Sequence, residues 1–232
     1  MKPSDIISYI EMCQEEGFSL QKGMNYRVKS DYSIFLMSVR VGAPYSDEIL
    51  EDGRVLIYEG HDAPRSKYGP NPKTFDQPMS SQYDKPTENG KFFEAAMSYK
   101  KKNLPSEKIK VYEKIRSGIW VYNGVFDLFD AWTEESNGRQ VFKFRLEIAE
   151  SLDDFSSLNI SKDDLKHTRM IPSEVKLSVW KRDKGKCRLC SSENNLHFDH
   201  IIPFSKGGTS LNAKNIQLLC ARHNIAKRDK IQ

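Results

Sequence analysis

Four residues near the C-terminus have the types and spacing of a metal site. Cys187 and Cys190 form C-x2-C, and Cys220 and His223 form C-x2-H, with 29 residues between the pairs. Two close pairs separated by a folded segment supply four soft ligands, the donor set of tetrahedral Zn2+. The chain has four cysteines, three of them within these 34 residues, a clustering that favours metal over disulfide in a cytosolic protein. Cys13 stands apart and reads as a small apolar residue on a helical face. Between the two pairs lies Asp199-His200. An imidazole titrates near neutrality and can take a proton from water, and a carboxylate can hold a hard cation. In an alternating strand the two side chains point to opposite faces, so both jobs fit one dipeptide. His197 shares the face of Asp199 and reads as a supporting or surface residue.

These groups need a scaffold. The run Leu196-His-Phe-Asp-His-Ile-Ile-Pro-Phe204 alternates and predicts a strand, Gly207-Gly208 a turn, and the chain from about Leu211 a second strand and a helix carrying Cys220, His223 and Asn224. Another helix is expected from Ser173, with Glu174 in its first turn. Sixty residues bury little core, so bound zinc would supply folding energy directly. The arrangement resembles the HNH endonucleases, the ββα-metal nucleases. The resemblance rests on C-x2-C, Asp199-His-Ile-Ile-Pro, Gly207-Gly208, the Asn215-Ile-Gln-Leu-Leu-Cys run and His223-Asn-x-x-Lys. It implies phosphodiester hydrolysis with His200 as general base, and with Asp199 and Asn224 holding Mg2+ or Mn2+. Such a cation polarises the phosphate and relieves the leaving oxygen. The resemblance makes Asn215 the residue that orients His200, with a role as metal ligand the alternative. His223 stands where most relatives have a fourth cysteine. Lys227, Arg228 and Lys230 follow and are expected to meet phosphates.

Charge divides the chain in the same place. Residues 173–232 hold 12 Lys/Arg against 5 Asp/Glu, a balance of +7, and residues 1–172 hold 24 against 27, a balance of −3. A basic module joined to a near-neutral one points to a polyanionic partner for the C-terminal part. The N-terminal residues contain no apolar run long enough for a signal peptide or membrane span, so a cytoplasmic location without membrane contact is expected.

Residues 3–16 predict an amphipathic helix. Strand patterns follow in YSIFLMSVRV, RVLIYEG, KIKVYEKI, IWVYNGVFDLFDAW and RQVFKFRLEI, with turn signals at Asp52-Gly53, Asn123-Gly124 and Asn137-Gly138. One helix, 92–102, interrupts them, and residues 60–90 form a long Pro- and Gly-containing loop of functional length. Many short strands with one helix predict a closed or nearly closed β-barrel. The stretch GAPYSDEILEDGRVLIYEGHD, residues 42–62, then resembles the SRA domain, a PUA-like barrel that binds modified cytosine, as do YNGVFDLFDAW and VFKFRLEI further on. The resemblance implies a pocket in which Tyr45 and Tyr58 sandwich a flipped 5-methyl- or 5-hydroxymethylcytosine while Asp47 or Glu48 accepts from its N4 amine. His61, Arg65, Lys67 and Lys73 are expected to reach the grooves or replace the missing base.

The expected fold class is thus α+β: an SRA-like barrel with flanking helices over 1–150, a linker over 151–172 in which His167 has no role, and a zinc-stabilised HNH domain over 173–232. The function implied is that of a type IV-like, modification-dependent restriction endonuclease, a homodimer on double-stranded DNA because one ββα site cuts one strand. The alternatives are a modified-DNA reader without nuclease activity and an HNH nuclease indifferent to modification.

Overall fold

The computed structural model describes residues 1–29, 31–50, 53–149 and 170–231, so Asp52 of one expected turn, His167 and residues 151–169 of the expected linker lie outside it. Among the described residues, ten strands and four α-helices make a mixed α+β architecture. The large sheet runs β2 (Met24–Lys29), β3 (Tyr32–Met37), β6 (Lys108–Arg116), β7 (Ile119–Ser136), β8 (Arg139–Ile148), β5 (Val55–Glu59), β4 (Glu48–Leu50), with β1 (Ile6–Ser8) on the free side of β7. Most neighbours are antiparallel, but β3 and β6 are parallel. The sheet curls: Phe35 on β3 stacks on Tyr58 of β5 at 4.2 Å although three strands separate them in sheet order. Among the described strands no pairing joins β2 to β4, so the barrel is nearly closed. Its interior is aromatic, with Phe35, Phe92, Phe126 and Phe144 fully buried. Phe92 and Ala96, one turn apart, come from α2 (Glu88–Lys100).

The expected strands all form, and the details that differ have local causes. α2 begins four residues before the expected start because Thr87 caps it, its hydroxyl accepting from Gly90 N. The expected helix 3–16 is shorter: Ile6 and Ile7 are in β1, and α1 (Tyr9–Glu16) starts after Ser8. Ser8 and Glu11 form a reciprocal capping box that sets that start, while the β-branched pair is claimed by β7. Asn137-Gly138, both at positive φ, makes the two-residue hairpin expected between β7 and β8. Asn123-Gly124 is no turn. It lies inside the 18-residue β7, where Gly124 at φ +107° accommodates a bulge against β6, and the chain reverses instead at Ser117-Gly118.

The C-terminal part has α3 (Ser173–Arg182), the antiparallel pair β9 (Leu196–His200) and β10 (Ile216–Cys220), and α4 (Ala221–Lys227). β10 is buried along its length. Met170 and Ile171, within the span read as linker, are buried as well, at 5% and 0% exposure.

Candidate functional site

The metal-type residues converge. Cys187 and Cys190 lie on the turn after α3, Cys220 ends β10, and His223 lies in the first turn of α4. Because α4 starts directly after Cys220, the i,i+3 spacing turns His223 back toward the cysteines. All four ligand atoms lie within 4.8 Å of one another. Cys187 Sγ and Cys220 Sγ are 3.4 and 3.3 Å from His223 Nδ1, and Cys190 Sγ is 3.8 Å from Cys220 Sγ. A tetrahedron with ordinary zinc bond lengths has S···S edges of about 3.8 Å and S···N edges of about 3.5 Å. The donor set and its edges therefore fit zinc. Burial pushes the Cys187 thiol up, but backbone N–H groups at Cys220, Leu189 and Cys190, with the His223 side chain, outweigh it and bring the thiol down to about 6. A thiolate is the form a metal binds.

Asp199 and His200 sit at the end of β9 and meet different partners, as the pleat requires. His200 Nε2 is 2.9 Å from Ser210 Oγ. Asp199 Oδ2 lies 3.1 Å from Lys227 Nζ and accepts from Gln217 Nε2 at 3.4 Å. Lys227 also donates to the His200 carbonyl at 2.6 Å, and its side chain is 1% exposed. Lys227 is therefore no phosphate contact: it ties the dipeptide to α4. Asn215 holds the loop that leaves His200. Its Oδ1 accepts from Ile202 N at 2.8 Å, and its Nδ2 donates to Ile202 O and Thr209 O at 3.1 and 3.0 Å. Its backbone carbonyl accepts from Ile201 N at 2.7 Å. Gly208 is enclosed by this knot, where a Cβ would lie 1.8 Å from Ile202 O. Asn224 is half-buried on α4, one turn before Lys227.

The second cluster lies where the ends of β3 and β5 meet. Asp47 spans them, accepting from Ser38 N at 2.9 Å and Glu59 N at 3.1 Å. Burial pushes its carboxyl up to about 7. Glu48, one residue on, is exposed on the edge strand β4. Tyr58 is 2% exposed; Phe35 covers one face, and its hydroxyl donates to Leu36 O at 3.2 Å and lies 2.9 Å from His61 Nε2. Tyr45 is stacked on His61 at 4.5 Å and 10° between planes. The His61 ring is thus in contact with both tyrosines, and burial pulls its pKa down to about 4. It does not reach out as the sequence suggested. Lys73 lies 4.7 Å from the Tyr45 ring centroid and donates to Pro44 O.

Residues 187–230 match the HNH endonuclease family. Among solved structures the chain is similar to an SUVH5 SRA domain in complex with hemimethylated CG DNA, at 21% identity and TM-score 0.45 over 65% of this chain and 90% of that one. It is similar to the modification-dependent restriction endonuclease TagI at 17% identity and TM-score 0.44, over 99% of this chain and 78% of that one. The DNA modification-dependent restriction endonuclease AspBHI is similar at 15% identity and TM-score 0.41, over 60% of this chain and 67% of that one. No curated protein matches. No helix among the described residues is long and apolar enough to cross a membrane.

Sequence reasoning brought the HNH residues together but passed over the charges behind the tyrosine cluster. Glu59 and Lys143 are buried and 3.3 Å apart, and Arg139 donates to Asp62 Oδ1 at 2.5 Å. Gln77, also buried, donates to Gly60 O at 2.6 Å and accepts from Phe142 N at 2.8 Å. The signal was Lys143, a cation between Phe142 and Phe144 in a strand otherwise read as closing the barrel.

Proposed function

We propose that the chain is a modification-dependent DNA endonuclease, in which the N-terminal barrel takes up a flipped 5-methyl- or 5-hydroxymethylcytosine and the HNH segment hydrolyses a nearby phosphodiester. The observation that carries the reading is the Asp199-His200 hairpin end, clamped by Asn215 and Lys227 and closed by a Cys3His cluster, within residues that match the HNH family. His200 takes the proton of the attacking water; its Nε2 lies against Ser210 Oγ, and its ring meets the Phe204 ring edge-on at 6.3 Å. Asp199 and Asn224 would hold Mg2+ or Mn2+, which stabilises charge on the phosphate and the leaving oxygen when bound. Asn215 has its whole amide committed to backbone, which supports an orienting role over a ligand role. Cys187, Cys190, Cys220 and His223 would hold structural zinc.

In the barrel, Tyr45 supplies the stacking face and Asp47 the acceptor. Asp47 points inward and Glu48 outward, which favours Asp47 as the reader of the N4 amine. Tyr58 forms the floor, and His61 occupies the face of Tyr45 that a base would use. One HNH site cuts one strand, so double-strand cleavage takes two copies of the chain. The modules are residues 1–150 and 173–232, working in the cytoplasm where foreign DNA would be met.

The test compares one plasmid prepared unmodified, with 5-methylcytosine and with 5-hydroxymethylcytosine, in Mg2+ or Mn2+, with His200→Ala as control. Cleavage of modified DNA alone, lost in the variant, supports the reading. Equal cutting of every form leaves a nuclease indifferent to modification, and binding to modified DNA without cutting leaves a reader.

A further inference from the structure

One set of buried charges belongs to neither site. Lys176 on α3 is fully buried, and its ammonium donates to Glu113 Oε2 and to Asn123 Oδ1, both at 2.7 Å. Asn123 Nδ2 donates to the same carboxylate oxygen at 3.0 Å. Glu113 on β6 and Asn123 on β7 are 1% and 2% exposed, so a cation of the C-terminal part is sealed against the barrel wall. An ammonium leaves water only where it is paired and hydrogen-bonded. Such bonds are directional, whereas the apolar contacts around them, Ile115 and Val121 against Val175 and Val179, permit sliding. The node therefore specifies where α3 sits.

A second tie runs through the N-terminal residues. Ser4 N donates to Tyr122 O at 2.8 Å and Tyr122 N to Asp5 O at 3.0 Å, and β1 continues along β7. On the other side Phe198 N donates to Ser4 O at 3.2 Å, Asp5 bridges to His197, and Asp5 Oδ1 lies 2.7 Å from His197 Nδ1. Ser4 and Asp5 thus have a barrel strand on one flank and on the other the strand that ends in Asp199-His200. Hydrogen bonds run unbroken from the barrel sheet to the HNH hairpin.

We infer that Lys176 and the Ser4–Ser8 strap are positioning elements that set the distance between the recognised base and the cut phosphodiester. The inference rests on the modification-dependent reading above. With α3 and β9 both fastened to the barrel, the hairpin end stays at one place relative to the tyrosine cluster, and the cut falls at one offset. Releasing either tie lets the hairpin move while its own chemistry is intact.

The test uses the full chain and a duplex with a single modified cytosine, end-labelled so that every cut is mapped to the nucleotide. Lys176→Met alone would bury an unpaired carboxylate, so it is combined with Glu113→Gln. Asp5→Ala is the second variant, acting at a different contact. Wild type is expected to cut at one dominant offset. Both variants are expected to lose it and cut at several positions, with faster amide exchange in β9 without DNA. Faster exchange with the single offset retained overturns the inference, as does unchanged exchange in both variants or a spread of offsets in wild type. Failure of the underlying reading shows differently, as wild type that does not prefer modified DNA.

Discussion

The HNH segment and the tyrosine cluster hold their functional groups by opposite means. In the HNH segment every residue concerned falls between Cys187 and Lys227, and short-range hydrogen bonds place each one: Asn215 on the 201–209 loop, Lys227 on Asp199 and the His200 carbonyl. Its apolar core is a small cluster shared with the barrel wall through Ile115 and Val121, and the four metal-type ligands converge beside it. In the barrel the residues come from the strand ends and loops around β3, β4, β5 and β8, and are held by a large aromatic interior and buried charge pairs. The first site leaves its dipeptide half-exposed at a hairpin end. The second fills its stacking face with its own His61. On the proposed function, a site that meets any phosphate can stand open, whereas a site that selects one base gains from rejecting other occupants.

Removing a metal held by the Cys3His cluster should separate the two regions most sharply. Zinc in small domains contributes on the order of 10–16 kcal/mol. Strong chelation, or Cys220→Ser, is expected to unfold the HNH hairpin and abolish cleavage while leaving binding to modified DNA, measured by metal content, cleavage and mobility shift. Loss of binding along with cleavage would show that the barrel depends on the hairpin for its own fold. Next in size, His200→Ala is expected to lower the cleavage rate by about 10²–10⁴-fold with little change in melting temperature or affinity. Tyr45→Ala acts on the other region: calorimetric titration should show binding to modified DNA weakened by about 1–3 kcal/mol, the range for a lost base–aromatic stack.

A further comparison concerns pH. Burial raises the Asp47 carboxyl from the ordinary 3.8 to about 7. Between those values the folded chain holds a proton that the unfolded chain has released, so this group's contribution to stability falls as pH rises through that window. Melting curves across it should show the decline, Asp47→Ala should flatten it, and Glu48→Ala, on the exposed edge strand, should leave it in place. A slope that follows Glu48 would reverse the assignment of the inward carboxylate.

What could be read from residue order was whatever depends on neighbours in the chain. The C-x2-C and C-x2-H pairs, Asp199-His200 and the Asn137-Gly138 hairpin each act within a few residues, where backbone geometry alone decides who can meet whom. Strand patterns were legible for the same reason, since alternation is local. Whether Asn123-Gly124 made a turn or a bulge was not, because β6 and Lys176 settle it from outside the segment. Nor could sequence choose between Asp47 and Glu48, which differ only in the face the barrel assigns to them. The sealing of Lys176 against Glu113, 63 positions away, and the seating of Ser4 and Asp5 between two sheets were equally out of reach. Spacing along the chain determined the metal-type cluster and the placing of Asp199-His200 at the hairpin end. Burial decided the rest, because which charges lose water depends on surfaces brought together only when the whole chain folds.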